Sequence, residues 1–224
     1  EGDARVALDD EATLAEQSGG VFTIDLDDAA YPDEAAMRAN AELGRLRIRK
    51  DLGDTDGDGD IDQIYAYGGR SLSIFKQNAD GTITKVRDTG GEFEAIIARD
   101  CATRFNIDTS EGGGFDTRSD NKGPEPEGVD IGVINGRTYA FVSLERAGGV
   151  MIYDITDPAN ASFVGYNPPL AGEGNAPELT KFISAADSPT GTALVLTANE
   201  GNSAAGFAGS GLTDKNQQSF GAVV

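Results

Sequence analysis

The chain has 224 residues, of which 38% are hydrophobic and 7% aromatic, enough for one substantial core or two small ones. Its 38 acidic residues outnumber 18 lysines and arginines and give a net charge of −20, which argues against nucleic acid and anionic membranes as partners. The sequence contains no histidine, which excludes a Ser-His-Asp triad and histidine-ligated zinc. Cys101 is the single cysteine, so there is no internal disulfide, and a small buried hydrophobe is its expected role.

A surface this acidic fits a cation-binding secreted protein or a protein from a salty habitat, and charge alone does not separate the two. No apolar run approaches the roughly 18 residues of a membrane-spanning helix, so we expect no direct membrane span. The abrupt start at Glu1-Gly2-Asp3 leads us to expect a mature or trimmed fragment of a longer gene product.

The first fifty residues contain two strand signals with a helical segment between them. Residues 21–26 are a short strand candidate, and residues 45–49 alternate cleanly between arginine and aliphatic side chains. Residues 33–43 are rich in alanine and predict a helix, with Asp33 as its N-cap and Gly44 at its end.

The next stretch, residues 54–62, has aspartate at five alternate positions, with Gly57 and Gly59 between them. Negative charges packed this closely repel one another strongly unless a cation neutralises them. Ca²⁺ takes six to eight oxygen ligands at about 2.3–2.6 Å, and glycine permits a turn in which alternate residues supply them. We therefore predict a calcium loop. The expected ligands are the side chains of Asp54, Asp56, Asp58 and Asp62 and the main-chain carbonyl of Asp60.

Two competing interpretations of this loop fit less well. A solvated acidic turn does not explain strict alternation with two glycines. An EF-hand needs glutamate at its twelfth position, which is Tyr65 when counted from Asp54. Residues 63–67 alternate and are rich in strand-forming side chains, so the loop leads into a strand and resembles the calcium loops of FG-GAP repeats in integrin-type β-propellers. A loop in this position tends to fix the strand that follows, so we expect the calcium to be structural.

The middle of the chain predicts a hairpin followed by a long loop. Residues 71–75 and 82–86 are strand candidates, and residues 78–81 between them are typical of a hairpin turn. Residues 99–123 are polar and glycine-rich and form a predicted loop of about 25 residues, a length that usually indicates function or mobility.

The clearest repeat unit contains four predicted antiparallel strands in about 40 residues, the length of one propeller blade. Asn135-Gly136 is a type I′ turn signal between the first two of these strands. The four strands are residues 128–134, 138–144, 149–155 and 163–166, and residues 181–184 and 193–198 begin another blade. We predict a single all-β domain over residues 1–224, β-propeller-like with four-stranded antiparallel blades and one short helix. A partial propeller and a β-sandwich stay open as alternatives.

Long motifs spread over nearly the whole chain are familiar, among them RSDNKGPEPEGV at residues 118–129 and GGVMIYDITDP at residues 148–158. The others lie at residues 56–60, 65–71, 137–146, 187–189 and 198–200. Together they resemble the choice-of-anchor I family of bacterial secreted and cell-surface proteins.

This resemblance implies a β-propeller-like domain, export, and attachment to the bacterial cell surface by one of several C-terminal anchors. Two departures from the family stand out. Family domains are longer, so we expect part of the propeller to lie outside this chain. The second proline-glutamate motif reads Pro177-Glu178-Leu179, where the family has glycine in third place.

Two functions follow from these features. The first is a calcium-binding extracellular or cell-surface scaffold or adhesion-type protein, which binds a protein partner or copies of itself through open sheet edges. The second is a calcium-dependent phosphoesterase, because some relatives carry alkaline-phosphatase-like labels and clustered carboxylates can hold catalytic metals. Its candidate residues are Glu1, Asp3, Arg5, Lys122, Glu125, Glu127, Glu145, Arg146 and Glu200. The simpler alternative is that Glu125 and Glu127 flank turns at blade entrances and that Glu145 and Arg146 pair across a hairpin.

Overall fold

The computed structural model describes residues 11–108, 114–168 and 176–199, and the backbone of residues 219–223. Within these ranges the α-helices are Glu34–Met37 (α1) and Glu92–Asp100 (α2), and short 3₁₀-helices occupy Ala102–Arg104 and Pro158–Asn160. The strands are Glu11–Thr13 (β1), Gln17–Ser18 (β2), Val21–Phe22 (β3), Arg47–Arg49 (β4), Ser73–Gln77 (β5), Ile83–Asp88 (β6), Pro126–Ile134 (β7), Arg137–Leu144 (β8), Val150–Asp154 (β9), Ser162–Asn167 (β10), Pro177–Ile183 (β11), Leu194–Asn199 (β12) and Ser219–Val223 (β13).

The chain is mostly β, and its strands pair antiparallel, as the sequence predicts. The described strands form five separate sheets and do not close into a barrel or a propeller, so the propeller arrangement stays a prediction. Of the predicted strands, one is shorter than predicted and one is absent from the described residues. Residues 21–26 keep only the two-residue β3, and residues 64–67 form no strand, although Ala66 makes an isolated antiparallel bridge to Ile48.

The sequence predicts one short helix, and the described chain contains two α-helices, of which α1 is the short one. The predicted helix of residues 33–43 is reduced to α1, with Asp33 at its N-cap but without a side-chain cap bond. The chain turns back at once. The Leu43 amide donates a hydrogen bond to the Met37 carbonyl at 3.0 Å. This bond satisfies a carbonyl at the end of α1, and the helix does not continue.

The second helix, α2, was not predicted. Its buried side chains are Phe93, Ile96 and Ile97, spaced at i, i+3 and i+4 on one face. This spacing is the signal that predicts a helix here, and it is easily masked by the charged residues around it. The helix ends at Asp100, so the predicted long loop of residues 99–123 begins in α2 and passes through a 3₁₀ turn.

The described residues form two compact units, and the first contains residues 11–68 together with residues 118–122. Its core is a cluster of small and aliphatic side chains: Ala12, Leu14, Ile24, Leu26, Ile48 and Ile61. Strand β1 pairs with β4, and β2 pairs with β3. The buried Arg38 side chain braces this unit, because its guanidinium donates to the carbonyl oxygens of Leu14 and Ile24.

The second unit contains the other described residues, which fall within the ranges 69–117 and 123–223, and its centre is a four-stranded antiparallel sheet in the order β10-β9-β8-β7. This sheet confirms the four strands predicted for residues 128–166. Asn135 and Gly136 have φ angles of 51° and 79°, so the tight turn between β7 and β8 is made by the two residues that the sequence indicates. Helix α2 packs on one face of the sheet, where the ring centroids of Phe93 and Tyr153 lie 5.7 Å apart.

The other face of this sheet packs against the three-stranded sheet β11-β12-β13. The Phe141 and Phe182 rings stack with 5.5 Å between their centroids. A Cβ atom on Gly132 would lie 2.5 Å from the Phe182 ring, so only glycine allows this close approach. The hairpin β5-β6 completes the described sheets of this unit, with its turn at residues 78–81 as predicted.

Candidate metal centre

The acidic loop of residues 54–62 is held at its base by backbone contacts within the first unit. The buried Ile61 makes a parallel bridge to Leu26, and its amide donates to the carbonyl of Asp25 at 3.0 Å. The amide of Asp62 donates to the carbonyl of Gly53 at 2.9 Å, which closes the neck of the loop. Gly53 has a φ angle of 106°, and a Cβ atom there would lie 2.2 Å from the Gln63 carbonyl oxygen, so the neck requires glycine.

The side chains of Asp54, Asp56 and Asp58 converge at the exposed end of the loop, and we call them the loop trio. Each offers a carboxylate oxygen, and these three oxygens lie within 4.8 Å of one another. That separation is about twice a typical Ca²⁺–oxygen distance of about 2.4 Å, so one calcium ion can contact all three.

Backbone amides orient the loop trio. The two carboxylate oxygens of Asp54 accept from the amides of Gly57 at 2.6 Å and Gly59 at 3.1 Å. The carboxylate of Asp56 accepts from the amide of Asp58 at 3.3 Å. These bonds depend on the left-handed φ angles of Gly57 and Gly59, 86° and 106°, which is why the sequence alternates aspartate with glycine here.

A second group, Asp27, Asp60 and Asp62, lies deeper in the same unit, and we call it the Asp27 trio. Its ligand oxygens also lie within 4.8 Å of one another. The Asp62 carboxylate accepts from the amide and the hydroxyl of Thr55, at 2.6 and 2.8 Å. The Asp27 carboxylate accepts from the amide of Ala30 at 2.6 Å. The Oδ1 atom of Asp60 is buried and accepts no hydrogen bond from the described residues.

The pKa values of these carboxyl groups reflect burial, repulsion between neighbouring carboxylates and hydrogen bonding. Burial, reinforced by the charges of Asp58 and Asp27, raises the pKa of Asp60 to about 6. The charge of Asp58 raises the pKa of Asp56 above its usual value. Hydrogen bonds from Thr55 lower the pKa of Asp62 instead. A divalent cation would relieve the repulsion, and an arrangement of carboxylate oxygens with one buried oxygen lacking a donor fits a hard cation such as Ca²⁺.

The five aspartates that the sequence predicts as calcium ligands are therefore divided between two groups. Three form the loop trio, and Asp60 and Asp62 join Asp27, which the sequence analysis missed. Asp27 lies far from the loop along the chain, and only the pairing of Leu26 with Ile61 brings it there. The run Asp25-Leu26-Asp27-Asp28 gives no spacing signal of its own. Calcium ligation by these residues, including the main-chain carbonyl of Asp60, stays a prediction.

A third acidic group lies in the second unit, where Glu125, Glu127 and Glu145 place ligand oxygens within 4.8 Å of one another. Glu125 and Glu145 are buried, and the Arg146 guanidinium lies 2.7 Å from the Glu145 carboxylate. The same guanidinium lies 3.6 Å from Glu125. Burial, reinforced by a hydrogen bond with Glu125, raises the pKa of Glu145 to about 8. The Glu145 carboxyl group is therefore largely protonated at neutral pH.

This group is four of the nine residues that the phosphoesterase hypothesis names, if Arg146 is included. Of the others, Lys122 belongs to the first unit, and Glu1, Asp3, Arg5 and Glu200 lie outside the described residues. Glu125 has a φ angle of 50°, uncommon for a residue with a side chain, and its carbonyl accepts from the Glu145 amide at 2.7 Å. The backbone thus fixes the two buried glutamates side by side.

Comparison with known proteins identifies the class. The choice-of-anchor I domain family matches residues 1–158, most of the chain, so this protein belongs to that family. The family associates the chain with the cell surface or with secretion, as predicted. Among the described residues, no helix combines the length and the apolar character that crossing a membrane requires.

A particular relative is Gigasin-3a of Magallana gigas, which is 31% identical over 122 residues. The match covers 53% of this chain and 42% of Gigasin-3a, so the chain spans less than half the length of this curated relative. No solved structure matches the chain. The bacterial origin that the resemblance implies stays a prediction.

Proposed function

We propose that this domain is a calcium-stabilised scaffold or adhesion-type component of the cell surface. The observation that carries the proposal is the loop trio, in which three carboxylates converge within reach of one cation and are oriented by the loop's own amides. Family membership supplies the location, and the loop supplies the reason for calcium.

A structural role for the cation fits the surroundings of the loop. The loop ends with Ile61, whose side chain is part of the core, and Asp62, and it is followed by Ala66, whose backbone pairs with Ile48 in the strand β4. The Arg49 amide also donates to the Tyr65 carbonyl at 2.8 Å. Without a cation, repulsion within the loop opposes the closed neck that holds these contacts. Calcium binding to the folded state alone therefore stabilises this unit.

The experiment is a set of thermal melts in calcium and in chelator, with magnesium as a comparison. We expect calcium to raise the melting temperature of the wild-type chain and to do so much less in an Asp56→Asn variant. Asp28→Asn is the matched control, because Asp28 is exposed and belongs to neither trio. An equal calcium effect in wild type and in Asp56→Asn would contradict the role of the loop trio.

Association with a protein partner, including another copy of the chain, is the second part of the proposal. Strand β7 is at the edge of its sheet, and it exposes Val129, Ile131 and Val133 on one face. Their exposed fractions are 56%, 57% and 62%, which is unusual for three aliphatic side chains on the same face of one strand. An edge strand with an apolar face favours association with another polypeptide.

A second candidate function is metal-dependent phosphoester hydrolysis, and the convergence of Glu125, Glu127 and Glu145 beside Arg146 favours it. Carboxylates can hold a metal that polarises phosphate, and a guanidinium can stabilise developing negative charge. Hydrolysis of p-nitrophenyl phosphate or phytate in the presence of calcium tests it, with Glu127→Gln as the variant. Turnover that the variant loses would support this function, and no turnover would leave the scaffold proposal ahead.

A further inference from the structure

We propose that the partner at strand β7 is a second copy of this chain, which pairs antiparallel along β7 with the two-fold axis at Ile131. This inference rests on the association proposed above and names both its partner and its register. The pairing joins two four-stranded sheets, one from each copy, into a single continuous sheet.

The outer edge of β7 presents the backbone groups that such a pairing needs. In the described residues β7 pairs only with β8, where Thr138 lies opposite Val133. The Thr138 carbonyl accepts from the Ile155 amide at 2.8 Å, and its amide donates to the Thr156 hydroxyl at 3.0 Å. Both groups therefore point away from β7. Since bonded and non-bonded pairs alternate in an antiparallel ladder, the backbone groups that β7 directs toward its outer edge belong to residues 129, 131 and 133.

The apolar pattern of β7 is symmetric about Ile131. Val129, Ile131 and Val133 share one face of the strand, and each is more than half exposed. With the axis at Ile131, this side chain lies opposite its own copy, and Val129 lies opposite Val133 of the second copy. All three side chains then contact aliphatic partners across the new strand pair, the kind of contact that stabilises a sheet.

Neighbouring registers lose this match. An axis at Asp130 places two Asp130 carboxylates opposite each other and sets Val133 opposite Glu127. Like charges directly opposite each other destabilise a strand pair. An axis at residue 132 sets Val129 opposite the turn that follows β7. The axis at residue 131 therefore fits the strand best.

Charge complementarity favours the same register. With the axis at Ile131, Asp130 lies opposite Gly132, which has no side chain. The Asp130 carboxylate accepts from the Phe182 amide at 2.8 Å and lies 3.0 Å from the Lys181 ammonium group. Its charge is thus compensated within its own copy, and it meets no carboxylate of the other copy in this part of the strand.

Asp130 also satisfies the edge when the chain is alone. Its other carboxylate oxygen accepts from the Ile131 amide at 2.9 Å, so the central donor of the edge has an acceptor without a second copy. Pairing exchanges this bond for one to the Ile131 carbonyl of the second copy. The net gain then comes mainly from the apolar side chains.

The dimer is therefore expected to be weak. One strand pair is a small contact compared with a standard interface of about 1,600 Å². Each copy also carries a net charge of −20, so the two copies repel each other at long range. Added salt screens this repulsion and should strengthen the dimer.

Disulfide trapping tests the register, in a Cys101→Ala background that removes the one native thiol. Ile131→Cys should form a disulfide-linked dimer under mild oxidation, because directly opposite Cβ atoms lie about 4.5–5.5 Å apart. Val129→Cys and Val133→Cys should each stay monomeric alone, since a four-residue offset separates equal positions by about 13 Å. A mixture of these two variants should form the dimer.

Ile83→Cys is the matched control, because Ile83 is equally exposed but lies on the hairpin β5-β6. It should form no dimer, alone or mixed with the other variants. Circular dichroism of each variant checks that it is folded.

The outcomes separate this inference from the proposed association. Sedimentation velocity of the wild-type chain measures association itself, whereas trapping measures its geometry. Association without trapping at Ile131→Cys, or equal trapping by Val129→Cys alone or by Ile83→Cys, would overturn the pairing along β7 and leave association standing. A wild-type chain that stays monomeric at high salt, without trapping at position 131, would overturn the second copy as the partner.

Discussion

Asp60 carries the largest electrostatic cost in the acidic loop, because burial and two neighbouring carboxylates raise its pKa to about 6. The folded state therefore holds a proton more tightly than the unfolded state, where an aspartate has a pKa of about 3.9. The resulting stabilisation is fully present below about pH 4 and is lost as the pH rises through about 6. In chelator, the chain should become less stable over this range.

An Asp60→Asn variant tests this cost. In chelator at pH 8 we expect the variant to be more stable than wild type, and at pH 4 we expect the two to be equal, because Asp60 is then protonated. In calcium the difference at pH 8 should shrink, because a bound cation relieves the repulsion that destabilises the wild-type chain. Denaturant unfolding in both buffers measures these differences, and equal stability in chelator at pH 8 would show that Asp60 is not strained.

Glu145, in the second unit, makes a second pH-dependent contribution to the free energy of unfolding, because its pKa is raised to about 8. An unfolded glutamate has a pKa of about 4.3, so the stability that this group contributes is lost as the pH rises from about 4 through about 8. Glu145→Gln stays neutral and should flatten the stability profile between pH 5 and 9, with the largest gain over wild type at the alkaline end. Unfolding midpoints in calcium measure the profile.

The matched control for this substitution is Glu42→Gln, at an exposed position of the first unit. It should leave the profile parallel to that of wild type. A parallel profile for Glu145→Gln itself would contradict a raised pKa of Glu145 in the folded chain.

At the scale of elements, strand β7 tests the association that we propose. Ile131 lies in the middle of its exposed apolar face, with an exposed fraction of 57%. An Ile131→Lys substitution adds a charge at that face, and we expect it to weaken self-association by about tenfold, the effect of about 1.4 kcal/mol. Sedimentation velocity over a range of concentrations measures the change.

Ile83→Lys is the control for this strand, because Ile83 is also exposed, at 69%, but lies on the hairpin β5-β6. Weakening by Ile83→Lys and not by Ile131→Lys would assign association to the hairpin instead. A wild-type chain that is monomeric at all concentrations would remove self-association from the proposal and leave a different protein as the partner.

The elements that could be predicted are those whose signals are local. The sheet β7-β8-β9-β10 follows from alternation and from Asn135-Gly136, because the turn and the register are set by neighbouring residues. Helix α1 was predicted too long, because the return of Leu43 to the Met37 carbonyl is a feature of tertiary structure. Helix α2 was missed although its apolar spacing is visible in the sequence.

In the candidate site, too, the residues arranged by local contacts could be predicted and the residue from a distant segment could not. Asp54, Asp56 and Asp58 could be predicted to converge, because two glycines and three amides within the loop arrange them. The position of Asp27 could not, because it depends on the packing of Leu26 and Ile61 in one core. Spacing within a loop is encoded locally, whereas a ligand from a distant segment depends on how the whole unit packs.

At the scale of the whole molecule, the net charge of −20 should make the stability of the folded chain rise with cation concentration, because cations reduce its self-repulsion. Monovalent salt screens this charge over about 10 Å at 0.1 M, so salt alone should raise stability moderately. A site-bound calcium ion acts differently, since its effect saturates at low concentration and is removed by chelator. Melts at constant ionic strength therefore distinguish the two contributions.

The central claim is that calcium stabilises the fold, and the most direct measurement is the melting temperature of the wild-type chain in calcium and in chelator at equal ionic strength. Calcium at 100 times its dissociation constant adds about 2.7 kcal/mol, and each kcal/mol shifts the melting temperature by about 2–4 °C in a chain of this size. We therefore expect a rise of about 5–11 °C, from the same relations. Identical melting temperatures in calcium and in chelator would contradict the claim.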